Sequence, residues 1–171
     1  FDRYQGEIKT GILLHREIDR FTDSHPLVRA GQSYLRPRFR HYSTVITYIF
    51  FYYFLGKNWK NYSKVPLETF VNQTYAVMDS HLDELPESFG KMFYWMKSQN
   101  WLYHYSELSG IQKALNGLTQ RTTFESKMNE ATEVLLEKEA EFEVIFFAFF
   151  RELETFAREK LTELQRIHGH H

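Results

Sequence analysis

Between Glu125 and Gln165 the chain is strongly helical in composition and sets Leu135, Phe142, Phe146, Phe149, Leu153 and Phe156 on one apolar seam. That spacing lines a single face of an α-helix, so the stretch predicts one long helix over 125–165 whose apolar side has to be covered by other elements. Lys160 interrupts the seam and Leu164 resumes it. The rest of the chain shows the same period, punctuated by Gly and Pro. Helices are expected over Ile8 to Thr22 and over Pro26 to Leu35, the second ending ahead of Pro37 because a proline disfavours helical geometry in the residue before it. Pro66 opens a helix from Leu67 to about Leu85 with Leu67, Phe70, Thr74, Val77 and His81 on one side. Pro86 stops it. Glu87 to Gln99 follows, carrying Phe89, Met92, Phe93 and Met96, and then a pair, Trp101 to Tyr105 and Ile111 to Leu118, broken around Gly110.

Ser43 to Lys57 is the difficult segment. Val45, Ile46, Ile49, Phe50, Phe51, Tyr52, Tyr53 and Phe54 are β-branched or aromatic and favour a strand by propensity alone. The run is longer than most strands, does not alternate, and aligns with a helix of the family whose resemblance is described below, so it is expected to be a buried helix. No strand or hairpin signal competes elsewhere, and the fold class is all-α, a single-domain helical bundle over 1–166. The ending 167–171, with three histidines, reads as a tail and a possible affinity-tag remnant. A chain of 171 residues can bury a sizeable core, and its sixteen Phe and eleven Tyr are by default that core.

Composition excludes several function classes. Without cysteine there is neither a disulfide nor a thiolate nucleophile or ligand, and a reducing cytoplasm is the simplest location. The longest apolar run, Val45 to Leu55, falls short of the ~20 residues a bilayer requires. A net charge of −1 argues against a general polyanion binder, so no nucleic acid partner is expected. The charges are unevenly spread: Arg29, Arg36, Arg38, Arg40, His41, Lys57, Lys60 and Lys64 gather base, and acids crowd Glu130 to Glu163. A basic face opposite an acidic one is expected, with a merely solvated surface as the alternative.

Chemistry concentrates in Gly11 to Pro26, which holds two imidazoles, three carboxylates and two guanidiniums within a few helical turns. His15 and Asp19 are four apart and share a helix face. They continue the stripe of Ile8 and Ile12, so both are expected to point into the bundle. Asp23 and His25 follow closely enough to converge on one ion or phosphate. The plainer reading is a hydrogen-bonded pair plus a helix start at Pro26, with Asp23 or Ser24 as cap.

The run His15-Arg16-Glu17-Ile18-Asp19-Arg20-Phe21-Thr22-Asp23-Ser24-His25-Pro26 resembles the His-Arg-x-Ile-Asp-x-x-Thr-Asp-x-x-Pro segment of the acyl carrier protein phosphodiesterase family. Phe54-Leu55-Gly56-Lys57-Asn58-Trp59 is similar to that family's Phe-Leu-x-x-x-Trp, and Ala114-Leu115-Asn116-Gly117-Leu118-Thr119-Gln120-Arg121 to its Leu-x-Gly-(small or apolar)-x-x-Arg segment. The resemblance implies a helical hydrolase, similar to the His-Asp metal phosphohydrolases, that removes 4′-phosphopantetheine from holo acyl carrier protein by metal-assisted phosphodiester hydrolysis, with manganese as the metal. Carried onto this chain it makes His15, Asp19 and Asp23 ligands or orienters of the ion, and Arg16 and Arg121 phosphate clamps. The acidic substrate gives the basic stretch a purpose, and Arg36, Arg38, Arg40 and Lys57 are expected to dock it.

Two departures bear on that expectation. Members usually begin with Asn-Phe-Leu-Ala-His and a following Gly-Asn-x-x-x-Asp-Phe motif; neither precedes Phe1, so a His and an Asp of the expected site fall outside this chain. The helix before Trp59 usually reads Asp-x-x-x-Asp-His, where this chain has Tyr48, Tyr52 and Tyr53. A phenol with pKa ~10 is a poor ligand for a hard dication at neutral pH. Two further readings therefore stand beside the hydrolase: a relative that binds an acidic carrier protein without cleaving it, and a structural helical interaction protein whose His-Asp cluster is only a polar network.

Overall fold

The structure, a computed structural model, describes residues 6–122 and 125–168. The helices are α1 (Gly6–Ser24), α2 (Pro26–Phe39), α3 (Ser43–Lys57), α4 (Leu67–Ser80), α5 (Glu87–Ser98), α6 (Trp101–His104), α7 (Leu108–Arg121), α8 (Ala131–Glu137) and α9 (Glu139–His168), joined by short 3-10 turns. The described residues contain no strand. α9 is the axis: α1, α2, α3 and α8 all pack on it, and α7 closes the far side of α3.

The core explains why α3 is a helix despite its strand-like residues. Ile46, Thr47, Ile49, Phe50, Phe51 and Phe54 are all buried, so the helix is apolar around most of its circumference and shows no alternation. Phe50 meets Phe142 of α9 edge-on at 5.1 Å, and Phe51 stacks on Phe149 at 5.3 Å. Such pairs add about 1 kcal/mol each beyond the area they bury. Propensity is overridden because burial of these rings far outweighs the few tenths of a kcal/mol that separate residue types in a helix, about 0.7 at most. The α9 seam holds as read: Phe142, Phe146 and Phe149 are buried, as is Leu164.

Several boundaries differ from the sequence reading. α2 does not stop before Pro37 but carries it inside the last turns and ends where Arg40 takes φ +50° and donates its N–H to Arg36 O. Continuation seats Phe39 in the core one turn beyond Leu35, which offsets the single backbone bond Pro37 deletes. The 125–165 helix is not continuous: a 3-10 turn at Met128–Glu130 leads into α8, and the chain bends at Lys138 before α9. Both sides of the bend present fully buried residues, Leu135 and Phe142, so packing sets it and no Gly or Pro marks it. α9 runs on through Ile167 and His168; 169–171 lie outside the described residues.

α4, α5 and α6 form a satellite with its own small core of Val71, Tyr75 and Phe93. The predicted stripe on α4 is off by one position: Val71 and Tyr75 face inward, and Val77 is 61% exposed. Gly110 does not break the helix pair either. It lies in the first turn of α7, where an added Cβ would come within 1.9 Å of His104 O, so glycine is what lets α7 start against the end of α6. The Gly110→Ala variant is expected to lose about 3 kcal/mol of unfolding free energy in urea titration, whereas Gly90→Ala, where a Cβ would meet nothing within 4 Å, is expected to lose none.

Candidate functional site

The last two turns of α1 carry Asp19 and Asp23 and no basic residue in the final turn. A carboxylate there meets the negative end of the helix dipole, so local stability does not account for it. Asp19 and Asp23, with Arg16, Arg20, Ser24 and the α2 residue Arg29, line an open recess of about 700 Å³. Three guanidiniums thus surround two carboxylates. Arg20 is held by Glu17 at 2.6 Å, and Arg29 is exposed.

His15 and Asp19 do share a face, with Nδ1 3.0 Å from the Asp19 carboxylate. They do not point into the bundle. Their side chains are 76% and 60% exposed, because α1 has no buried residue at all and rests on α9 through Phe21, which stacks on Phe156 at 4.3 Å. The Ile8 and Ile12 stripe is peripheral, Ile8 being one of the exposed large hydrophobics. His25 goes the other way. It is 7% exposed and caps α2, its Nδ1 accepting the Leu27 N–H while Nε2 lies 3.1 Å from Glu152. The helix cap is therefore His25 rather than Asp23 or Ser24, and its imidazole is spent on structure.

Asp23 is tied to α3. The Tyr48 hydroxyl donates to Asp23 Oδ1, and one turn on, Tyr52 feels the charge of Asp19. Burial, then the bond to Asp23, pushes the Tyr48 phenol well above its ordinary value; burial, then Asp19, raises Tyr52. Both stay protonated at any physiological pH; Tyr48 donates to a carboxylate, whereas Tyr52 meets Asp19 through its charge alone. Tyr53 belongs elsewhere: it points to the other side of α3 and donates to Glu139 at 3.2 Å. Of the three tyrosines at the expected ligand positions, Tyr48 and Tyr52 lie on the side of α3 nearest Asp19 and Asp23, and Tyr53 does not.

These donors do not fit a divalent ion. Two carboxylates and one imidazole stand near two neutral phenols, and among the described residues no three His, Asp or Glu side chains group so as to hold a metal. His15, Asp19 and Asp23 are neighbours along α1 without forming a ligand set.

Arg121 is not in the recess. It lines a second, more enclosed groove of about 600 Å³ between α3 and α7, together with Val45, Ile49, Trp101 and Tyr105. Tyr105 stacks on Tyr52 at 5.8 Å, so the recess and the groove are neighbours across that pair. The expected docking cations are partly spent. Arg38 bridges Glu130 and Glu133 at 3.1 and 2.9 Å, and Lys57 pairs with Glu139 and Glu143 at 2.8 and 3.4 Å. Acids of α8, of the turn before it and of α9 therefore interleave with this base instead of occupying an opposite face, and of the four Arg36 and Arg40 are exposed with no ion pair among the described residues. Arg20, Arg29 and Tyr105 were not singled out for this site from the sequence, and Tyr105, which joins it from more than fifty residues away, gives no local signal.

An all-helical chain with a guanidinium-and-carboxylate recess beside an apolar groove is suited to an anionic group on an elongated substrate. Residues 1–153, which include every residue of both features, match the family described as acyl carrier protein phosphodiesterase. The chain is 28% identical over 149 residues to the acyl carrier protein phosphodiesterase of Photorhabdus laumondii, covering 86% of this chain and 75% of that one. It is 26% identical over 148 residues to that of Pectobacterium atrosepticum, covering 86% and 77%, and 27% identical over 158 residues to that of Klebsiella pneumoniae, covering 92% and 82%. No solved structure matches. The chain belongs to the acyl carrier protein phosphodiesterase family.

The Tyr48 bond has a pH signature. Its phenol is raised above the value of about 10 it has in the unfolded chain, so its contribution is complete below about pH 10 and is lost as pH climbs through that value toward the higher native one. Tyr48→Phe is expected to cost about 1 kcal/mol at neutral pH and to flatten the fall in stability between about pH 9 and 12, as read by urea unfolding across pH.

Proposed function

We propose that this protein acts on holo acyl carrier protein at the phosphodiester that joins 4′-phosphopantetheine to the carrier serine. What supports the reading is the family membership together with the recess, where Arg16, Arg20 and Arg29 present planar forks suited to two phosphoryl oxygens at once. In the hydrolysis, a water oxygen bonds to phosphorus and the bond to the serine oxygen breaks, leaving apo carrier and free 4′-phosphopantetheine. The exposed His15, with Asp19 on its Nδ1, leaves Nε2 to take the proton of the attacking water. The serine oxygen receives a proton as it departs. The substrate class and the lack of cysteine suit a reducing cytoplasm.

A divalent ion such as manganese would offset phosphoryl charge and acidify a bound water in relatives that hold one. The donors here do not fit it, and no step above passes through it. That misfit favours a second reading, in which the recess binds the carrier without cleaving it: Tyr48 occupies the Asp23 oxygen that a cation would need.

Incubation with purified holo carrier protein, with and without added manganese, and mass measurement of the carrier separates these. Formation of apo carrier supports hydrolysis; binding in calorimetry without a mass change supports the second reading; neither leaves a structural interaction protein. Arg16→Ala is expected to weaken carrier binding or kcat/KM by about 10- to 100-fold. Since Tyr53 faces Glu139, the pair Tyr48→Asp and Tyr52→Asp is expected to raise manganese uptake in calorimetry, and addition of Tyr53→His to raise it no further.

A further inference from the structure

The groove between α3 and α7 has a glycine in its wall that packing does not require. Gly117 lies within α7, where glycine is the least favoured residue after proline, and a Cβ built on it would meet nothing within 4 Å. Gly110, on the same helix, is pinned by His104; Gly117 is pinned by nothing. It is one of the residues that line the groove, so a side chain added there adds bulk to that wall. The space of about 600 Å³ is typical of a site for an elongated ligand, and its walls are Val45, Ile49, Trp101, Ala114 and Leu118, with Arg121 among its polar residues.

The groove also neighbours the phosphate recess across one helix face. Val45, Tyr48, Ile49 and Tyr52 are the i, i+3, i+4, i+7 stripe of α3. The two aliphatics face the groove, Tyr48 bonds Asp23 in the recess, and Tyr52 stacks on Tyr105, which lines the groove. A chain anchored by phosphate at Arg16 and Arg29 and passing the Tyr52–Tyr105 pair enters an apolar slot. A bare pantetheine arm is rich in amides and ends in a thiol, and gains little from such walls. A fatty acyl chain on that thiol gains from every methylene buried.

We propose that the α3–α7 groove takes the S-acyl chain of an acylated carrier protein and that Gly117 determines how much chain it admits. The proposal rests on the phosphodiester reading, extending it to the acylated form of the substrate. Gly117→Ala is expected to fold with a raised thermal midpoint, in keeping with an unpacked helical glycine. The test is the ratio of affinities for octanoyl and holo carrier protein in calorimetry, with free S-octanoyl-4′-phosphopantetheine as a third probe. The wild type is expected to prefer the octanoyl carrier by about tenfold or more, the worth of two buried methylenes, and Gly117→Leu to bring that ratio close to one. Equal affinity for both carriers in the wild type, or a ratio that Gly117→Leu leaves as it was, overturns the groove while the phosphodiester reading stands. If neither carrier binds, that reading fails and the free probe decides the groove alone: binding that Gly117→Leu abolishes upholds it, and no binding overturns it.

Discussion

The interdigitated rings of α3 and α9 are the contact on which the rest depends. Phe50 and Phe54 of α3 meet Phe142 and Phe146 of α9 at 5.1 and 5.9 Å, and all four are essentially inaccessible to water. Interiors of this density tolerate little displacement, so the two helices form a fixed frame. α1 and α2 are hung on it through Phe21, Leu35 and the capping imidazole of His25, whose ring lies 5.0 Å from Phe149. Polar work is thereby pushed to the rim, where the open end of α1 meets the solvent side of α3.

At that rim a conflict is resolved by the tyrosines. Two carboxylates at the negative end of α1 are locally unfavourable, and a neighbouring cation is the usual remedy. Here the remedy is a protonated phenol from α3 on Asp23 and guanidiniums from α1 and α2 around the recess. The arrangement keeps guanidiniums beside the carboxylates for an anionic ligand while giving up the donors that a hard dication needs. Local rules of helix electrostatics are broken where a ligand would sit, as functional sites commonly break them.

What was legible in the sequence follows the range of the interaction. Helix existence was readable throughout because period and punctuation are local, and the β-branched run of α3 was readable from its length and lack of alternation together with its match to a helix of the family. His15 beside Asp19 was readable for the same reason, since i, i+4 geometry fixes it. Their orientation was not, because it depends on which side of α1 meets α9, and Phe21 decides that instead of Ile8. The turn at Lys138 and the run of α2 past Pro37 are set by the seats of Phe142 and Phe39 in the shared core. Arg38 and Lys57 looked available for a partner until acids ninety and eighty residues away were brought against them. The Tyr52–Tyr105 pair, which joins recess to groove, is of the same non-local kind.

The central claim is that the phosphodiester sits among Arg16, Arg20 and Arg29. The same molecule offers a competing anion site: the loop after α3 frames a recess of about 960 Å³ with Lys57, Lys60 and Lys64. Titration of the 15N-labelled protein with holo carrier protein, followed through arginine Nε–Hε and backbone amide resonances, distinguishes them. The side-chain signals of Arg16, Arg20 and Arg29 are expected to shift together with the amides of Asp19 and Asp23. Shifts confined to 57–64, with the three arginine signals unmoved, would contradict it.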